Sequence, residues 1–263
     1  MDEARATVLL EVLAAQRGVV CTVGAGGKKS TLYRLAEAHR VVGSARVGLT
    51  ATVMVAPPPA SLFGEPLVAS DDQLTRQLPE LATQRRLLAY ARPSTKPGRL
   101  GGVAPEMVAE LHRCCGFTVT LVKADGARMR LIKAPADDEP VLPPGATTVL
   151  PVVSAQALGR PLSPAVAHRL DRLVAITGAV PGEPLAPVHI ARLLASDAGA
   201  LQHAQKATVV PIINMVDDDS ARDAARAAAR EALAMTRRFD RVVLAAMTAA
   251  DPLVEVVVRP GPA

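Results

Sequence analysis

The stretch "VVCTVGAGGKKSTLYRLAEAHR", Val19 to Arg40, constrains the fold more than any other. An apolar run rich in β-branched residues ends at Gly24, Gly26 and Gly27, and a helical pattern begins within a few residues. Strand, glycine turn and helix in that order open a βα unit, and the rest of the chain keeps the rhythm. Periodicity predicts helices over Glu3–Gln16, Ser30–Arg40, Asp71–Leu78, Pro105–Cys114, Pro164–Thr177, Pro187–Ala195 and Asp219–Arg237. It predicts strands over Val19–Val23, Ala45–Val53, Arg86–Ala91, "FTVTLVKAD", Thr147–Val153, Ala207–Asn214, Asp240–Ala246 and Val254–Val258. The proline-rich "MVAPPPASLFGEP" reads as an irregular crossing, and "RPSTKPGRLGG" as a mobile loop carrying Lys96 and Arg99. No internal repeat is visible. Alternating strands and helices imply parallel pairing with right-handed crossovers. The expected fold is therefore α/β, a mostly parallel sheet with helices on both faces. At 263 residues and 49% apolar content, one domain spanning 1–263 with inserted loops is expected.

In an open parallel sheet ligands bind beyond the carboxyl ends of the strands, so the residues that follow strands are the candidates. After the first strand come Gly24, Ala25, Gly26, Gly27 and Lys28. Glycines let backbone N–H groups curl round an anion, the next helix points its positive end there, and a lysine adds a full charge for terminal phosphates. This points to a P-loop NTPase-like three-layer sandwich that binds ATP or GTP with magnesium. The pattern departs from GxxxxGK[ST], because Lys29 stands where the magnesium-binding hydroxyl belongs. Ser30 is one residue late, roughly 100° further round the helix. Either Ser30 or Thr31 reaches the ion by a local distortion, or water and an acid hold it. The plain alternative is a glycine turn with two solvated lysines.

A second marker is Asp125, which ends the "TLVKAD" strand before Gly126. A carboxylate there suits magnesium or its bound water, and it equally suits a turn or a helix cap. Thr50 and Thr52 end the second strand, either as γ-phosphate contacts or as ordinary strand formers. A third marker, "INMVDDD", has the Asn214-to-Asp217 spacing of a guanine-reading N-K-x-D loop, with Met215 in place of the lysine. Asn214 as a turn residue and Asp217 to Asp219 as a helix cap explain it as economically. Lys133, Asp137, Asp138 and Glu139 crowd one loop, and they also read as a solvated charge cluster.

Composition narrows the partners. Lys and Arg number 30 against 25 Asp and Glu, a net +5 scattered along the chain, which favours small phosphorylated ligands over a long polyanion. Aromatics are 2% of residues, so stacking platforms for nucleic acid are nearly missing. Cys21, Cys114 and Cys115 lack metal or disulfide spacing. Cys21 reads as a core residue, and the adjacent pair leaves a redox or sulfur-relay role open. The first residues are acidic and lack the pattern of a signal peptide, and no apolar run approaches a membrane span, so a cytoplasmic protein with no membrane partner is expected.

The phrases "VGAGGKKSTLYRLA", "KADGARMRLIKAPADDEPVLP", "LGRPLSPAVAHRLDRLVAITG" and "INMVD" together resemble the YqeC family of selenium-dependent molybdenum hydroxylase accessory proteins, also described as selenium cofactor biosynthesis proteins. The resemblance implies a nucleotide-binding protein acting in maturation of a molybdenum hydroxylase or its cofactor. It implies Lys28 on phosphate, Asp125 on magnesium, and Lys133, Glu139, His168 and Arg169 as pocket or switch residues. His168 and Arg169 also read as a solvated pair on a helix surface. The chain departs from the family at Lys123, where a glutamate is expected, and at Met215. Three activities fit: a nucleotide-gated delivery module, a small-molecule phosphoryl or nucleotidyl transferase, and a scaffold with a relict P-loop.

Overall fold

The first strand, β1 (Gly18–Gly24), is buried from Val19 to Val23, as an apolar strand covered on both faces must be. Burial pushes the Cys21 thiol far above its usual value, so it serves as a packing group. This computed structural model describes residues 1–259. The chain forms two units, one from Met1–Thr22, Thr31–Asp125 and Val141–Thr148, the other from Val23–Ser30, Gly126–Pro140 and Val149 onward.

The first unit begins with α1 (Glu3–Val12), capped by the Asp2 carboxylate, which accepts from the Arg5 amide at 2.8 Å. The helix stops short of the expected Gln16. Ala14 turns left-handed (φ 48°), and the Ala14 and Ala15 amides reach back to the Glu11 and Leu10 carbonyls at 3.0 and 2.8 Å. This is a Schellman cap built on alanine instead of glycine. Then follow α2 (Lys28–Val42), β2 (Val47–Ala51), α3 (Ala60–Phe63), β3 (Leu67–Val68), α4 (Asp71–Gln84), β4 (Leu87–Ala91), α5 (Pro105–Cys114) and β5 (Val119–Lys123). α4 runs past the expected stop at Leu78 and through Pro79, because Leu74, Leu78 and Ala82 continue one buried stripe. The proline-rich crossing holds the single turn of α3. The expected mobile loop is pinned: Val55 bridges Leu100, Arg92 bridges Gly101, and the Arg92 guanidinium pairs with Asp71.

These strands pair in parallel in the order β1-β5-β2-β4-β3. The step from β1 to β2 through α2 moves along the sheet in one direction, and the steps through α4 and α5 return. Right-handed crossovers in opposite directions put their helices on opposite faces. Both faces are thus covered, as expected.

The second unit contains β6 (Ile132–Lys133), the later part of β7 (Ala146–Ser154), a 3₁₀ turn (Ala155–Ala157), β8 (Ala167–His168), α6 (Leu170–Thr177), α7 (Pro187–Ala195), β9 (Thr208–Val209), β10 (Ile212–Asn214), α8 (Asp219–Met235), β11 (Arg241–Ala245) and β12 (Leu253–Val258). β7, β10 and β11 are parallel neighbours, and β12 adds an antiparallel edge. The strand expected over Ala207–Asn214 is broken at Pro211, which has no N–H for the ladder. The helix expected from Pro164 begins only at Leu170, because Arg169 is left-handed (φ 61°) and Ala167–His168 pair with β6 instead. α8 packs on α7 and on the strands β11 and β12, and its Ala225, Ala228, Ala229 and Ala232 are buried. Among the described residues, no helix is long and apolar enough to cross a membrane.

Glu255 of β12 is clamped by Arg226 and Arg222 of α8, at 2.7 and 3.0 Å. The hydrogen bond from Arg226 does most to lower its pKa, to about 2 from the ordinary 4.5. A depressed folded-state value means that this contribution is complete above pH 4.5 and is lost as pH falls toward about 2. Thermal melts of the wild type and Glu255→Gln should therefore differ most near neutrality, with a gap that narrows steadily through that acid range.

Candidate functional site

The glycine loop lies in the second unit, pressed against the ends of β7 and β10. Gly24, Gly26 and Gly27 have φ of 87°, 88° and 118°. A β-carbon at each would come within 2.4 Å of the Val152 carbonyl oxygen, 2.4 Å of the Ser154 nitrogen and 2.1 Å of the Asn214 side-chain nitrogen. No other residue fits these positions. Close packing alone would also suit a plain turn, so the direction of the peptides decides what the loop can do.

The Ala25 amide points inward, donating to the Val152 carbonyl at 2.8 Å. The Gly26 carbonyl also points inward, accepting from the Asn214 carboxamide at 2.8 Å. In a trans peptide the N–H lies opposite the C=O, so the Gly27 amide points away from Asn214. α2 starts at the next residue, where the first amides of a helix have no intrahelical acceptor. The Lys28 ammonium folds back to donate to the Gly24 carbonyl, and the side chain is nearly buried. An outward amide, a helix start and a cation over the loop fit a polyphosphate chain. Lys29 is exposed, Ser30 half-buried and Thr31 fully buried.

Asn214 is spent within the protein. One end of its carboxamide holds Gly26, and the other accepts from the Met247 amide at 3.0 Å. Asp217 is exposed and accepts from the Gln156 amide at 3.1 Å, while Asp218, accepting from the Ala221 amide at 2.7 Å, caps α8. Met215 is left-handed (φ 61°), with its sulfur 3.1 Å from the Ser154 hydroxyl. Asn214 thus anchors the glycine loop, and Asp218 starts the helix.

A charged cluster occupies the same unit. β6 and β8 pair Lys133 with His168, which places both side chains on one face of the ribbon. The Lys133 ammonium, with a fully buried side chain, and the Arg169 guanidinium both bind Oε2 of Glu139 at 2.6 Å. Of the residues that also read as a solvated cluster, Lys133 and Glu139 join Arg169 in a largely buried triad, while Asp137 and Asp138 are exposed. Burial alone would raise the pKa of Glu139, but the pairs with Lys133 and Arg169 outweigh it and hold the carboxyl below its usual range. Burial, and then Arg169, Lys133 and Arg128, hold His168 below the usual histidine value. His168 and Arg169 are therefore a strand residue and a helix-start residue, not a helix-surface pair. Arg172 binds Asp137 at 2.6 Å, and Asp138 stays at the surface. Sequence reasoning missed Gln202, whose amide donates to the carbonyls of Ala136, at 2.6 Å, and Glu139. A single glutamine in a turn-rich segment carries no periodic signal.

In the first unit, Asp125 follows β5 and is buried. The Lys123 ammonium donates to the Asp125 carbonyl at 2.6 Å, so the lysine in place of the expected glutamate fixes the backbone there. The hydroxyls of Thr50 and Thr52 donate to the carbonyls of Tyr90 and Val141 at 2.8 and 2.7 Å, which leaves them only as acceptors. The Cys114 and Cys115 sulfurs are 3.9 Å apart, and burial pushes the Cys115 thiol up to about 12, which makes it a poor nucleophile.

A family model described as YqeC protein matches residues 20–171, more than half of the chain. The chain belongs to the YqeC family. The matched span holds the glycine loop, Asp125, Lys133, Glu139, His168 and Arg169, and it ends before Asn214 and Asp217. The uncharacterized protein YqeC of Escherichia coli (strain K12) is 28% identical over 188 residues, which is 70% of each chain. Among solved structures, the hydrogenase maturation factor HypB from Archaeoglobus fulgidus aligns with a TM-score of 0.40 and 13% identity, covering 92% of this chain and 88% of that one.

Gly26→Ala in this YqeC chain should cost about 2–5 kcal/mol in urea unfolding, since it adds both a backbone clash and strain at positive φ. Gly145→Ala, also at positive φ but facing open space, should cost only about 1–2 kcal/mol. Asn214→Ala should lose about 1–3 kcal/mol, because it leaves two buried backbone groups without their partner.

Proposed function

We propose that this chain binds ATP or GTP with magnesium through the glycine loop, and that the bound nucleotide controls delivery or insertion of cofactor into a molybdenum hydroxylase. The observation that carries the nucleotide reading is the turned peptide between Gly26 and Gly27, with the Lys28 ammonium beside it at the start of α2. In this role the Gly27 amide and the first amides of α2 hold phosphate oxygens. Lys28 exchanges the Gly24 carbonyl for a phosphate. Magnesium, when bound, would neutralise charge on the phosphates, and the assignment of Asp125 to it rests on the family resemblance. The hydroxylase setting, with its labile selenium, rests on the family resemblance.

Thermal shifts with ATP, GTP, CTP and their diphosphates, each with and without magnesium, test this. A ligand at 100 times its Kd stabilises the fold by about 2.7 kcal/mol. ATP or GTP should raise the melting temperature, Lys28→Ala should abolish the rise, and Asp125→Asn should remove only the increment due to magnesium. No shift with any nucleotide would leave the relict scaffold. Turnover with a small acceptor alone would point to a transferase, whereas hydrolysis only when the hydroxylase is present fits the gated module.

A further inference from the structure

The adjacent thiols at the end of α5, in the first unit, take no part in the glycine loop. Cys114 is exposed, Cys115 is buried, and their sulfurs lie 3.9 Å apart at the carboxyl end of the helix. Two sulfurs at that separation, each bonded at about 2.3 Å to one ion of the zinc class, subtend roughly 115° at the ion, close to the tetrahedral angle. A direct sulfur–sulfur bond suits the pair less well, because consecutive α-carbons are about 3.8 Å apart and disulfides usually span about 4.4 Å or more. Burial, and then the neighbouring Cys114, push the Cys115 thiol up, since a thiolate there is a poorly solvated charge beside another sulfur. A divalent cation shared by two thiolates is neutral as a whole and removes that cost. The end of a helix also favours a cation, because its last carbonyls carry the negative end of the macrodipole. Tyr90, 1% exposed, adds a hydroxyl without a hydrogen-bond partner among the described residues, and the two groups that act on it electrostatically are these same cysteines. A buried donor of that kind can steady a metal-bound sulfur. His112, one turn before Cys115, has its Nδ1 engaged with the Thr120 hydroxyl at 2.9 Å, and among the described residues no group of three metal-ligating side chains forms. The chain thus supplies two ligands, and any further ones come from outside, on the side of the exposed Cys114.

We propose that Cys114 and Cys115 together hold one thiophilic divalent cation of the zinc class, with its remaining positions open to water, a small thiol or a ligand from a partner. On binding, each sulfur forms a bond to the ion and gives up its proton to solvent, with no change of oxidation state. Two thiolate ligands select zinc-class ions over magnesium and calcium, which take oxygen ligands. Structural zinc sites close all four positions with protein ligands, so a site with two open positions suits an ion that is exchanged rather than one that holds the fold.

The test titrates the full chain, kept reduced by a phosphine that carries no thiol, with cadmium as a spectroscopic stand-in for zinc. Cadmium should produce thiolate-to-metal absorption in the ultraviolet that saturates at one ion per chain, zinc should displace it, and magnesium should not. Cys114→Ser changes an exposed side chain, so it should keep the melting temperature of the metal-free protein and lose the absorption. Cys115→Ala should lose it as well, whereas Cys21→Ala, which removes the thiol buried in β1, should retain it. Zinc should also protect Cys114 from alkylation, read by mass spectrometry. Absorption that persists in Cys114→Ser or Cys115→Ala, or none in the wild type, would overturn the proposal. So would a pair that takes up no ion and instead loses two hydrogens in air, since that is a redox couple.

Discussion

The nearness of the glycine loop to the strands behind it sets the geometry of the second unit. With Val152, Ser154 and Asn214 each within 2.4 Å of where a β-carbon would stand, three backbone positions have no freedom of residue type and little freedom of shape. A loop held so tightly arrives at the start of α2 with its peptides already oriented. The proposed anion would then bind with little reorganisation, and preorganisation of this kind separates a cradle from a flexible turn.

The charged cluster works by different physics. The glycine loop depends on neutral packing and peptide direction, whereas the ribbon of β6 and β8 brings full charges together, with the Lys133 side chain wholly buried. Gln202 holds the turn from Ala136 to Glu139 from outside, so the carboxylate that organises both cations is itself positioned by a neutral side chain.

Much of the fold was legible in the sequence, because its signals are local and repeated. The β1 run, the glycines, α5, α7 and the alanine-rich helix α8 follow from periodicity and stop signals, and the parallel pairing follows from their alternation. The misses share a cause. Ala14, Arg169 and Met215 adopt left-handed backbone without being glycine, and nothing in composition announces that. Arg169 in particular turned an expected helix into a strand pairing and changed the environment of His168 completely. The burial of Lys133 was equally hidden, since a lysine beside two aspartates and a glutamate looks solvated until the chain folds a partner onto it. The Asn-to-Asp spacing after β10 was visible, but its role depends on a neighbour 188 residues away in sequence, which no local pattern encodes.

The two-ended grip of Asn214 has a mechanical consequence. A single carboxamide joins the backbone of the glycine loop to the segment that leaves β11, so a small rotation of the Gly26 peptide would be felt at Met247 with no elastic element in between.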